Sequence, residues 1–121
     1  MAGGVEIRDF SSPDDVRRPE RTTVEVVKVG AGEIGRFTFE PGWRWSECIK
    51  PVVGTDSCQV EHVGYVVSGS VRIRHEDGST GDVTPGTVYQ IAPGHDAWVL
   101  GDEPAVVVEF QGAATFAREQ P

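Results

Sequence analysis

The stretch CQVEHVGYVVSG, residues 58–69, and its distant echo IAPGHDAW, residues 91–98, decide how the rest of the chain is read. The first is a strand-like run rich in β-branched and aromatic residues that ends in Gly, and the second breaks at Pro93-Gly94 before a strand resumes. Each carries one histidine, His62 or His95, at a matching point. Together they point to a small β-barrel that holds something polar in its mouth.

Outward from these two runs, strand signals fill the chain. TTVEVVKV (22–29), EIGRFTFE (33–40), WRWSECI (43–49), HVGYVVSG (62–69), SVRIRHE (70–76), TVYQIA (87–92), AWVLG (97–101) and AVVVEF (105–110) are separated by Gly, Pro or Asp-Gly. Their spacing, roughly ten residues, predicts a sandwich or barrel. Ser68-Gly69-Ser70 and Asp77-Gly78 predict tight hairpins, because Gly and Asp tolerate the positive φ such turns demand. In SVRIRHE a period of two turns Val71 and Ile73 inward and leaves Arg72 and Arg74 in water. Ser12-Pro13-Asp14-Asp15 has a capping Ser, a Pro at the first helical position and acids behind it, which predicts a short helical turn ended by Pro19.

At 121 residues the chain has room for one core. Residues 1–21 read as an N-terminal arm and 22–121 as a single barrel domain. A net charge of −8 offers no basic face for phosphate backbones, so nucleic acid and anionic membrane surfaces are not expected partners. No apolar run approaches the length of a membrane span, and MAGGVEIRDF lacks the basic start and apolar centre of a secretory signal, so the expected compartment is the cytoplasm. Two cysteines, Cys48 and Cys58, are too few for a disulfide scaffold and read as free thiols or metal ligands; a disulfide between them fits an exported protein. Val106, Val107 and Val108 are apolar on both faces, as is much of TTVEVVKV. A second copy of the chain in a homodimer would cover such a surface, and burial within the chain's own fold would serve equally.

The chain resembles the cupin superfamily, small double-Greek-key jelly-roll barrels. The first cupin motif runs Gly, five residues, His-x-His, a short gap, Glu, six residues, Gly. Here Gly42 is followed by WRWSE, then Cys48-Ile49-Lys50 in place of His-x-His; His62 stands in place of the Glu, and Gly69 lies beyond it. The second motif is matched by Gly81-Asp82 or Pro85-Gly86 and then Ala92-Pro93-Gly94-His95. The resemblance spans about residues 33–110 and implies an all-β double-stranded β-helix. It also implies a divalent-metal site in the barrel beside a small organic ligand, although the superfamily hosts many activities.

The departures shape the expected chemistry. A protonated Lys50 is no ligand. Cys48, His62 and His95 remain, with Cys58 as a fourth candidate, a mixed S/N set that favours zinc over iron. Glu47 rivals Cys48. If 43–49 is a strand, Arg44, Ser46, Cys48 and Lys50 share one face, and Trp43, Trp45 and Glu47 the other. His75, beside the Asp77 turn, reads as a hairpin residue. Trp98 with Tyr65 or Tyr89 is a candidate pocket wall, Tyr65 a candidate proton carrier, and Arg44 a candidate clamp for a carboxylate. Two functions follow: a metal-dependent enzyme (lyase, isomerase or oxygenase type), or a non-catalytic module that binds or senses a small ligand or metal. Three protein ligands would favour the first, and four the second.

Overall fold

A computed structural model describes residues 4–118. Among these described residues nine strands form two antiparallel sheets: β1 (Asp15–Arg17), β2 (Thr22–Val29), β3 (Gly32–Phe39), β4 (His62–Ser68), β5 (Ser70–His75), β6 (Thr80–Val83), β7 (Val88–Ile91), β8 (His95–Leu100) and β9 (Ala105–Gln111). The larger sheet has the order β1-β2-β3-β9-β4-β7, and the smaller β6-β5-β8. The inner faces interdigitate: Val24, Val26, Phe37, Phe39, Val66 and Val107 from one sheet meet Val71, Ile73, Ala97 and Val99 from the other. The period of two holds on β5, where Val71 and Ile73 are buried while Arg72 and Arg74 are exposed. The β4–β5 hairpin turns at Gly69, with φ 71°; there an added Cβ would lie 2.3 Å from the Pro104 carbonyl oxygen, so only glycine fits.

Two expectations are corrected. Residues 12–19 form no helix. Val16 instead pairs with Glu25, which makes this segment an edge strand of the larger sheet. WRWSECI is no strand either: it enters α1 (Trp45–Cys48), followed by α2 (Lys50–Val53). The cause of the second is tertiary. Arg44 makes an isolated bridge to Trp98 on β8, and the Asp96 side chain on β8 accepts a 3.1 Å hydrogen bond from the Ser46 N–H, one of the otherwise orphaned donors of the first helical turn. Gly54 ends α2 in the left-handed region, φ 79°. The short strand β6, for which residues 80–83 give no clear signal, borders the smaller sheet.

On the outer face of β9, β4 and β7, Tyr65, Val67, Val88 and Phe110 are exposed, and Tyr65 faces Val88 on one side and Val108 on the other. No helix is long and apolar enough to cross a membrane, among the described residues.

Candidate metal centre

Because β4 begins at His62 with an inward side chain, the imidazole is delivered to one end of the barrel interior, where it is 4% exposed. His95 begins β8 after the Pro93-Gly94 corner, where Gly94 has φ 100°. His75 braces that corner with a 2.8 Å hydrogen bond from its Nε2 to the Pro93 carbonyl, a role beyond that of a solvated hairpin residue. Cys58 lies in the loop before β4 and is locked opposite His95 by backbone: its N–H donates to the His95 carbonyl (2.8 Å), and Gly94 N–H donates to its carbonyl (2.7 Å). The possible donor atoms of Cys58, His62 and His95 all lie within 4.8 Å of one another, and all three residues are buried.

The ring nitrogens are assigned by their partners. His95 Nδ1 faces the Ala92 carbonyl at 2.8 Å and must donate to it, which leaves Nε2 as the lone-pair atom. His62 Nδ1 donates to Glu109 at 2.5 Å, and its Nε2 lies 3.6 Å from the Cys58 sulfur. Tyr89 O–H donates to the other Glu109 oxygen at 2.6 Å. The chain Tyr89–Glu109–His62 therefore orients the imidazole as an outer shell orients a metal-bound histidine.

This arrangement fits a tetrahedral metal. Zn–S near 2.3 Å and Zn–N near 2.0–2.1 Å at tetrahedral angles put sulfur and nitrogen about 3.5 Å apart, close to the 3.6 Å between Cys58 and His62. Burial pushes the Cys58 thiol up, but hydrogen bonds with His62 and His95 outweigh it and bring the pKa to about 6. Burial opposes the charge on His62, yet the Cys58 sulfur and Glu109 lift its pKa to about 9. Thiolate and imidazolium thus face each other in the metal-free protein. Burial first, and Glu109 second, raise the Tyr89 pKa, so it stays a phenol and a donor.

The remaining predicted residues lie elsewhere. Cys48 is buried in the apolar core on the same helical face as Trp45, outside the cluster, while Glu47 is exposed. The alternation that set Cys48 against Glu47 does not apply, because the segment is helical. Both cysteines are free thiols. Arg44 does not enter the barrel: it lies over the Trp98 ring at 4.2 Å and within 3.6 Å of Asp96, so it does not clamp an interior carboxylate. Tyr65 is 40% exposed on the outer face of β4, and Trp98 also points outward, so neither lines the pocket. Tyr89 does. Glu109, absent from the sequence reading, could have been found by phase, since Ala105, Val107 and Glu109 alternate on one face of β9 and all three are buried.

Next to His62 lies an apolar cavity of about 40 Å³, whose titratable wall residues are His62, Tyr89 and Glu109. Ile73, Val83, Tyr89 and Ile91 also border an open cleft of about 370 Å³ beside β6 and β7. A second small cavity, about 80 Å³, lies on the Cys58 side under α1 and α2.

Two facing antiparallel sheets with His62 and His95 at strand starts define a cupin-type barrel. Solved structures with this fold include a cupin-like protein from Thermotoga maritima (16% identity, 76% of this chain and 68% of that one, TM-score 0.52). They also include ectoine synthase from P. lautus (13%, 89% and 78%, TM-score 0.64) and the polyketide cyclase RemF from Streptomyces resistomycificus (19%, 87% and 77%, TM-score 0.60). At these identities the likeness is one of fold. No family model matches the chain, and no curated protein matches its sequence.

Proposed function

We propose that the chain is a metal-dependent cupin acting on a small organic molecule, with zinc held by Cys58, His62 and His95. The observation that carries this reading is the convergence of one sulfur and two imidazoles whose far nitrogens are already committed, to Glu109 and Ala92. One thiolate and two histidines suit zinc better than harder-ligand metals. Three ligands leave a fourth position, which favours catalysis over a closed structural site. Zinc would supply Lewis-acid polarisation of a substrate oxygen or an activated water. Within the chain, Glu109 holds the His62 ring and Tyr89 holds Glu109, so the imidazole is fixed with its Nε2 towards the Cys58 sulfur.

Metal analysis of the purified protein tests this reading. One equivalent of zinc is expected in the wild type, none in Cys58→Ala or His95→Ala, and an undiminished equivalent in Cys48→Ala. Stoichiometric metal that survives both ligand substitutions, or loss on replacing Cys48, overturns the assignment, and iron in place of zinc revises the chemistry towards dioxygen.

A second copy of the chain is proposed to cover the face that bears Tyr65, Val67, Val88 and Phe110, since a two-fold pairing sets one apolar patch against itself. Sedimentation is expected to report a dimer that Val67→Asp converts to a monomer; a monomeric wild type excludes it.

A further inference from the structure

We infer that the ring of Phe116 stands in the place of the site's organic ligand, and that this ligand is an uncharged, planar, ring-sized molecule admitted when residues 112–118 swing away. The inference rests on the metal-site reading for the existence of such a ligand. Phe116 is 3% exposed and lines both small cavities, the one beside His62 and the one beside Cys58. Its ring centre is 5.4 Å from that of His62, and it stacks on Phe37 at 4.9 Å and 29°, so the space it fills is flat. An apolar cavity of about 150 Å³ accepts benzene. The two flanking spaces, about 40 and 80 Å³, are each too small, but with the ring withdrawn they join into one that is large enough.

The walls indicate the ligand's polarity. No Lys or Arg lines either cavity among the described residues, and the carboxylate of Glu109 is part of one wall. In the metal-free site the charge of His62 is already paired by Glu109 and Cys58, so a buried anion would face that carboxylate with no free cationic side chain in either wall. Trp43 lines one cavity and Trp45 the other, and each buries an indole N–H with no partner among the described residues. Neither N–H reaches a cavity surface, and the wall beside His62 that a ligand would meet is apolar, which suits an uncharged ring.

The segment is built to release. Two arginines latch it: Arg17 Nη1 donates to the carbonyls of Ala113 (2.8 Å) and Phe116 (2.6 Å) and its Nη2 to that of Ala114 (3.1 Å), and Arg118, within the segment, donates to Asp15 at 3.3 Å. Asp15 holds the Arg17 guanidinium from the other side. Gly112, with φ 105°, begins the segment where a Cβ would lie 2.7 Å from the Glu61 carbonyl oxygen. Ala117 adopts φ 59°, a left-handed conformation that disfavours the closed state.

Calorimetric titration of the full-length protein with acetophenone (neutral, with an acceptor) and benzoate (anionic), zinc-loaded and zinc-free, tests the inference. Acetophenone is expected to bind the wild type, benzoate to bind at least about tenfold more weakly, and Arg17→Gln to tighten acetophenone binding by about tenfold or more, because it removes three charged-donor hydrogen bonds from the closed state. In a Phe116→Ala background the same Arg17 change is expected to add nothing, since it acts only through the ring. Should Arg17→Gln not fold, Asp15→Asn loosens the latch instead. The inference falls if a folded latch variant binds no more tightly than the wild type, if benzoate binds the zinc-free protein as well as acetophenone does, or if the latch effect persists without Phe116. Zinc stoichiometry is scored separately: ring binding without zinc sinks only the metal reading, and zinc binding without ring binding sinks only this inference.

Discussion

Replacing Glu109 by alanine is expected to cost about 3–5 kcal/mol of folding stability and to weaken zinc binding by about 10–100-fold. Glu109 is 3% exposed, and both of its oxygens are in use, one accepting from His62 Nδ1 at 2.5 Å and the other from Tyr89 at 2.6 Å. Its removal leaves a buried imidazole and a buried phenol without partners, and an unpaired buried donor costs more than a formed hydrogen bond contributes. The effect on metal follows a different route: without the carboxylate the His62 ring is free to rotate and its Nε2 is less basic. Glu109→Gln keeps an acceptor for His62 and is expected to lose less stability while still weakening the metal. Denaturant unfolding and a chelator-competition titration give the two numbers. Alanine within about 0.5 kcal/mol of wild type, the usual scale for surface changes, would show that this chain of hydrogen bonds is not structural.

The second large effect concerns pH in the metal-free protein. His62 is raised from 6.5 to about 9, so its contribution to stability is complete below pH 6.5 and lost as pH rises through 9. Cys58 is lowered from 9.0 to about 6, so its contribution is complete above pH 9 and lost as pH falls through 6. Between about 6.5 and 9 the two slopes oppose each other. Unfolded, the pair carries one proton on sulfur; folded, it carries one proton on imidazole, and the proton count is equal. The wild type is therefore expected to show little pH dependence from this pair across that window. Cys58→Ala removes the strongest of the contacts that keep the proton on His62 and leaves Glu109 alone against burial, so the imidazole is expected to lose its proton at a lower pH than in the wild type. Titration of the His62 ring protons by NMR in both metal-free proteins measures the difference; an unchanged midpoint would mean that Cys58 and His62 are not coupled.

Much of the barrel was legible because burial on one face imposes a period of two. β2, β4, β5 and β9 lie within a residue or two of where alternation and turn residues put them. His62 and His95 were legible because a strand start after a loop or Pro-Gly corner aims a side chain inward. Glu109 was legible in principle by the same alternation, but a carboxylate between Val108 and Phe110 reads as an outward residue until its neighbours in space are known. WRWSECI misled because two tryptophans and an isoleucine favour strand, whereas four-residue helices have too few positions to show a helical period. The donor that starts α1 meets Asp96, about fifty residues away, and no local pattern encodes that contact.

Residues 58–69 and the runs that echo them carry an all-β barrel with two inward histidines, since alternation and turn chemistry are local properties of the chain. That Cys58 rather than Cys48 joins them, that Glu109 and Tyr89 stand behind His62, and that Phe116 lies against the site came only with folding. Each of those facts depends on segments far apart in the chain meeting at one end of the barrel: the Cys58–His95 bridge, the β4–β9 pairing and the Arg17 clamp on residues 113–116. Local sequence does not carry such distances, because they are set by which strands pair and in what register.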